Sequence, residues 1–430
     1  MKIIRYSDVD YAGAMLQLDR RSLATDALRE SVAAILGEVR DRGDDALLEF
    51  AEKFDHVKLT AGGLRVTEAE FDAAAAAAPD DLRHAVAASI VNVRAFARKG
   101  LRHGWHGTNT EGAEVGEVFH PLGRVGIYVP GGTAPLVSTA LMTVPIAVEA
   151  GVAEIVVTTP CGADGTVNPA LLFALRQAGA TEVYKLGGAQ AIAALTFGTK
   201  SIRAVEKVYG PGNSYVVEAK RQVFGVVGVD LLPGPSEVLV LADASARADW
   251  IAADMLAQAE HGKDSQVVFV TDCADLIDAV IAEIDRQSAT LTRQDQVRPV
   301  LENGTWCVLE RSLDEGVRLV NAYAPEHLSL VVADPDALLP EIRTAGAIYV
   351  GGWSPVAVGD FLAGPSHELP TGGAGKAFPG LTTEMFQRRT SVVRYGPASI
   401  KAAAPIVNVF ARVEGLDAHG RSVAIRAEDA

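Results

Sequence analysis

Cysteine is scarce in this 430-residue chain, and the three present, Cys161, Cys273 and Cys307, stand far apart. None has the short spacing of a metal clip or a redox motif. A disulfide scaffold is therefore excluded and a reducing cytosol is expected. Clusters of lysine and arginine are also missing, and the net charge is −15. Neither nucleic acid nor an anionic membrane is an expected partner. No apolar run approaches the roughly 20 residues that span a bilayer. The opening residues, MKIIRYSDVDYAGAML, lack the apolar core and small-residue cleavage site of a signal peptide. A cytoplasmic location is expected. The G-x-G-x-x-G fingerprint of the standard dinucleotide fold is absent as well.

What is present points to a globular protein with several cores, since 49% of residues are hydrophobic and 22% charged. Residues 1–110 read as helical. An amphipathic pattern over 25–54, carried by Val32, Ile35, Leu36 and Val39, is interrupted at Arg42-Gly43. Thr67 and Glu70 form a capping box, and Pro79 opens a further helix to Phe96. This segment carries no evident chemistry and reads as scaffold and dimer surface, packing on the second of the units described next.

From 114 to 230, strands alternate with helices. Strands are expected at 115–120, 124–129, 154–158, 182–185 and 207–209, with helices at 138–150, 168–178 and 189–197. A second alternation follows from 231 to about 375, with strands at 238–241, 267–270, 305–308, 328–332 and 347–350. This pattern predicts open, mostly parallel sheets covered by helices. The chain divides into a helical segment (1–110), a first α/β unit (111–230), a second (231–380) and a tail (381–430) of short helices, one of them at 402–412. Three loops at strand ends in the first unit are glycine-rich: YVPGGTAP (128–135), LGGAQAIAAL (186–195) and YGPGNSY (209–215). Such loops admit a ligand close to the backbone, and helix N-termini favour phosphate. They are equally consistent with ordinary turns.

The polar residues gather elsewhere. In the stretch PGPSEVLVLADASARADWIAADMLAQAEHGKDSQ, Asp243 or Ser245 can cap a helix whose last turn carries Gln258 and His261 on one face. An amide oxygen and an imidazole at a helix C-terminus can hold a cation, although a solvated turn with a capping histidine has the same sequence. NAYAPEHLSL sets Glu326 beside His327 ahead of a strand. The loop GGWSPVAVGDFLAGPSHELPTGG supplies Ser354, Asp360, Ser366 and His367. In the tail, EGLDAHGRS carries Glu414 and His419 across a turn at Gly415. His103, His106 and His120 read as structural, and His56 and His84 as surface residues.

In combination and in order, VGIYVPGG, LGGAQAIAALTFG, YGPGN, EAKRQV, GPSEVLVLAD, QAEHGKDSQ, NAYAPEHL, GPSHELPTGG and EGLDAHGRSV resemble the L-histidinol dehydrogenase family over nearly the whole chain. The resemblance implies two related, incomplete Rossmann-like α/β/α units with parallel sheets, and a homodimer whose tails reach into the neighbouring subunit's site. It implies one Zn2+ per subunit on Gln258, His261, Asp360 and His419, and NAD contacts at Tyr128, Gln190 and Asn213. Substrate contacts fall on Ser236, His367 and Glu414, with His327 and the zinc ligands also touching L-histidinol, and the catalytic pair on Glu326 and His327. One departure is local. Glu368, and residues 376–379, differ from many members beside His367.

The implied reaction oxidises an alcohol to an aldehyde and then to a carboxylate, reducing two NAD. No cysteine lies in these polar loops. Cys161 is the only arguable nucleophile, with nothing beside it to lower its pKa. Histidine suits proton abstraction near neutrality. His327 is thus expected to take the alcohol proton and Glu326 to activate water. A ligand set without thiolate argues against a closed structural zinc site and leaves room for substrate nitrogens, though it would also accept manganese or cobalt. Three alternatives stand beside this reading: a paralogous zinc and NAD dehydrogenase of another small alcohol, a zinc hydrolase using Glu326, and a non-catalytic binding module, which would need no base adjacent to a metal site. NAD binding separates the hydrolase from the two dehydrogenase readings.

Overall fold

The computed structural model describes residues 1–19, 24–131 and 136–430. Its contacts divide the chain into two units. One comprises Met1–Lys99 with Gly123–Thr383, the other Gly100–Leu122 with Glu384–Ala430.

The first unit holds two parallel sheets. The larger has six strands in the order Lys2–Arg5, Thr305–Leu309, Gln266–Thr271, Glu237–Ala242, His327–Val331, Ala347–Val350. Every residue of Glu237–Ala242 and of Gln266–Thr271 is buried, as expected of central parallel strands covered on both faces. Alternation splits the core. Val238, Val240 and Ala242 pack with Ile251, Met255 and Val280 on one side, while Leu239 and Leu241 pack with Val317 and Val320 on the other. The smaller sheet runs Glu182–Lys185, Glu154–Thr159, Arg124–Tyr128, Lys207–Tyr209, Gly228–Val229. Strand order reverses between Arg124–Tyr128 and Lys207–Tyr209, and ligands of open parallel sheets settle at such a switch point.

The sequence-predicted helix over 25–54 forms as Asp26–Arg42 and Asp44–Phe54, broken at Gly43 (φ 57°). The capping box of Thr67 and Glu70 is present. The first residues depart from the all-helical expectation. Lys2–Arg5 is an edge strand paired parallel to Thr305–Leu309, too short a run to register as one in the sequence. The helices from Asp26 onward also pack differently, whereas Tyr11, Met15 and Leu18 pack on the larger sheet. The stripe Val32, Ile35, Leu36 and Val39 meets Ile192, Leu195, Val216 and Val223, on helices of the smaller sheet, rather than the α/β unit at 231–380 that was expected.

In the second unit, Glu114–Pro121 is not a parallel α/β strand as predicted. It pairs antiparallel with Gln387–Arg394 on one side and Trp105–Thr108 on the other. Half of its residues are exposed and only one is buried, and an antiparallel ribbon tolerates one wet face where a parallel strand does not. The tail forms two helices, Pro397–Glu414 and Asp417–Glu428, longer than the short ones expected, joined through left-handed Gly415 (φ 68°). Among the described residues no helix is long and apolar enough to cross a membrane.

Asp254, on the helix Ala248–Ala259, offers a test of this packing. Burial raises its carboxyl to about 6, with Ser329 Oγ, donating at 3.3 Å, opposing the shift. An acid that holds its proton more tightly in the folded than in the unfolded chain costs stability once pH rises past its unfolded value near 4. The cost grows up to about pH 6 and is then constant, amounting to roughly 2–3 kcal/mol. Asp254→Asn is expected to be more stable than wild type at pH 7.5, with the gap narrowing as pH falls to 4.5. Urea midpoints across that range decide it, and a gap independent of pH would contradict the assignment.

Candidate active site

The switch point of the smaller sheet is shaped by Tyr128 and Gly210. Gly210 has φ 103°, and a Cβ there would lie 2.1 Å from the Tyr128 carbonyl oxygen, so only glycine fits. A buried ion pair holds this turn. Lys220 Nζ donates to Gly210 O (2.8 Å), and Gly210 N donates to Asp230 Oδ2 (2.8 Å). Lys220 and Asp230 themselves meet at 2.5 Å with almost no exposure. Tyr128 Oη accepts from Gly188 N (3.2 Å) at the start of helix Gly188–Phe197, which buries Gln190. Asn213 caps helix Ser214–Val223 by accepting from Tyr215 N and Val216 N. Tyr128, Gln190 and Asn213 therefore line the C-terminal edge of one sheet. Part of the 128–135 loop, residues 132–135, lies outside the described residues.

In the larger sheet the polar residues collect at the N-terminal edge, opposite to the usual side for ligands of parallel sheets. Ser236 precedes strand Glu237–Ala242, and Glu326 precedes strand His327–Val331. The helix Ala248–Ala259 runs back and ends there with Gln258, so His261 falls in the following turn. Its cap residue is Arg247, not Asp243 or Ser245. Asp243 instead accepts from Ser245 and Ala333 in the preceding turn.

The side chains form a directed chain. Gln258 Nε2 donates to Ser236 Oγ (2.7 Å), Ser236 Oγ donates to Glu326 Oε2 (2.6 Å), and Glu237 N adds a bond to the same oxygen (2.8 Å). With its amide nitrogen spent on Ser236, Gln258 leaves Oε1 buried without a partner. His327 Nδ1 lies 3.1 Å from the Glu237 carbonyl, which can only accept, so Nδ1 carries a proton. Its Nε2 is buried, unbonded, and 3.7 Å from Asp360 Oδ1. Asp360 is central: its Oδ2 is 3.8 Å from His261 Nε2 and its Oδ1 3.9 Å from His367 Nδ1.

Electrostatics distinguish the histidines. Burial lowers the pKa of His327, but the Glu326 carboxylate, with Asp360, more than reverses this and leaves it at about 9. Burial dominates at His367, with His327 and His261 adding to it, and the pKa falls to about 4 despite Asp360. Burial likewise acts to raise Glu326, yet His327 and the bonds from Ser236 and Glu237 hold it below the usual carboxylate range. Cys161 is half-buried, and burial raises its thiol, which removes it as a nucleophile.

The donor set fits a cation. Ligand atoms around a tetrahedral zinc stand roughly 3.3–3.6 Å apart. His261 Nε2 and Asp360 Oδ2 approach that spacing without bonding each other, and the Gln258 oxygen is a further buried donor atom without a partner. Among the described residues no three His, Cys, Asp or Glu side chains are gathered to hold a metal. That follows from the set itself: one donor is an amide, and His419 belongs to the second unit. There Glu414 ends one helix and His419 begins the next, both exposed.

Residues 18–427 match the sequence pattern of the histidinol dehydrogenase family. The chain belongs to the histidinol dehydrogenase family. It is similar to histidinol dehydrogenase of Geobacillus kaustophilus, 45% identical over 94% of this chain and 95% of that one. It is also similar to that of Xanthomonas euvesicatoria, 44% identical over 99% of both. The crystal structure of histidinol dehydrogenase from Elizabethkingia anophelis superposes with a TM-score of 0.95 at 32% identity, covering 100% of this chain and 98% of that chain. The paired α/β arrangement is thus that of the histidinol dehydrogenase family. Sequence reasoning did not single out Glu237, whose main chain touches both Glu326 and His327 and whose Oε1 accepts from Glu326 N (3.2 Å). Its place in the pattern GPSEV, directly after Ser236, was the available signal.

Proposed function

We propose that this protein oxidises L-histidinol to L-histidine through the aldehyde, reducing two NAD. The observation that carries this is the buried pairing of an ionised Glu326 with a His327 whose Nδ1 is pinned to a carbonyl, beside an orphaned amide oxygen. Because Nδ1 keeps its proton, deprotonated His327 presents a lone pair at Nε2. That nitrogen takes the substrate hydroxyl proton as the hydride leaves carbon. In the second half, Glu326 takes a proton from water as its oxygen adds to the aldehyde, and the hydrate loses a second hydride. Zinc on Gln258, His261, Asp360 and His419 would orient the substrate's nitrogens, and NAD along Tyr128, Gln190 and Asn213 would accept hydride. With Asp360 engaged as a ligand, one of the two carboxylates that hold the proton on His327 would be weakened, which would favour the basic form.

Ser236 and His367 complete the pocket from this unit. Glu414 and His419 would come from a second copy, in a homodimer of one zinc per subunit. An exposed apolar stripe on the tail helix, Ile406, Val409, Phe410 and Val413, supports such docking. A cytoplasmic location accords with the reducing environment its free cysteines need.

Turnover of L-histidinol should be compared with that of other small amino alcohols, with and without NAD. Selective NAD-dependent oxidation of L-histidinol is expected. Equal or better oxidation of another alcohol would make it a paralogue, and NAD-independent hydrolysis of an ester would overturn the oxidoreductase reading.

A further inference from the structure

Glu368 is a carboxylate with an unusual address. It is 5% exposed, and its Oε1 is buried without a hydrogen-bond partner. The charged groups that act on it are Asp230, Lys220 and Glu326. Lys220 is already matched by Asp230 at 2.5 Å, so a third buried ion would be an uncompensated negative charge. The nearest basic nitrogen is Nε2 of the adjoining His367, 3.7 Å from Oε1. That separation exceeds a hydrogen bond, so the two groups face each other closely without bonding in this structure. On the far side of the same ring, Nδ1 faces Asp360 Oδ1 at 3.9 Å.

We infer that Glu368 is a positioning residue, a neutral carboxylic acid whose O–H bonds His367 Nε2 and so fixes the ring with its proton on Nδ1. The two ends agree. Asp360 offers an acceptor to Nδ1–H, and Glu368 offers a donor to Nε2. An ionised Glu368 would instead place carboxylate acceptors at both ends of the ring. Burial and the neighbouring Asp230 push the Glu368 carboxyl well above its ordinary value, consistent with the acid form.

This inference rests on the proposed histidinol reaction, in which His367 touches substrate. The test uses E368V and E368Q in the full-length, zinc-loaded protein. E368V removes the donor and strands His367 Nε2, and should raise KM for L-histidinol about tenfold while kcat and KM for NAD change less than about twofold. E368Q keeps an N–H donor in place and should restore most of that loss. Ring-nitrogen NMR shifts of His367, assigned by their disappearance in H367A, should report the Nδ1–H tautomer in wild type and a mixture in E368V. Unchanged histidinol KM in E368V, equal damage from both variants, or an Nε2–H tautomer in wild type would each overturn the inference. If wild type does not oxidise histidinol, the reaction reading fails, while the tautomer measurement still decides the role of Glu368.

Discussion

His327→Asn is expected to lower kcat by about a hundredfold to ten-thousandfold, the usual contribution of a positioned general base. Asparagine keeps an N–H that can donate to the Glu237 carbonyl, replacing the 3.1 Å contact of Nδ1. The strand His327–Val331 should therefore remain paired, and zinc content should be unchanged. What the variant lacks is the lone pair at Nε2. KM for L-histidinol should move far less than kcat, because the lost interaction is made as the proton leaves. Steady-state kinetics with measured zinc occupancy check this. A kcat within tenfold of wild type would assign the proton transfer to another group.

Lys220→Met is expected to destabilise the protein by about 3–5 kcal/mol, because it leaves Asp230 as an unpaired charge in the interior. The pair is almost wholly buried and bonds both backbone groups of Gly210. The loss should therefore extend beyond stability. The Gly210 turn defines the switch point of the smaller sheet, so KM for NAD should rise while substrate affinity, measured at saturating NAD, changes little. K220M/D230L removes both charges and should recover much of the stability but not the NAD affinity, since the turn still lacks its clamp. Urea unfolding and NAD titration of the three proteins separate the effects. A K220M loss below about 1 kcal/mol would show that the pair is dispensable for folding.

The alternation of strands and helices was legible because buried parallel strands such as Val238–Val240 and Val267–Phe269 are continuous apolar runs between helix caps. Gly43 and the Thr67–Glu70 box were legible because their signals are local. Lys2–Arg5 and Gln387–Arg394 were not. Each becomes a strand by pairing with residues roughly 270–300 positions away, which no local pattern records. The contact of Val32 and Val39 with the smaller sheet is of the same kind, since an apolar stripe states that it is buried but not by what.

At the site, residue types and motif order pointed to Ser236, Gln258, His261, Glu326, His327, Asp360 and His367, and the fold gathers these at one sheet edge. Their hydrogen-bond directions were hidden. That Gln258 spends its nitrogen on Ser236 and frees its oxygen, or that Glu237 O fixes the proton of His327, depends on strand register. Burial also decides the states of His327 and His367, two histidines alike in sequence and held on opposite sides of neutrality.

The most direct test counts NADH formed per L-histidinol by chelator-stripped protein before and after zinc is restored. No turnover is expected without metal, and about two NADH per histidinol with it. One NADH per histidinol, with the aldehyde accumulating, would contradict the assignment of Glu326 to the hydration step. Full turnover without metal would contradict the zinc-centred site.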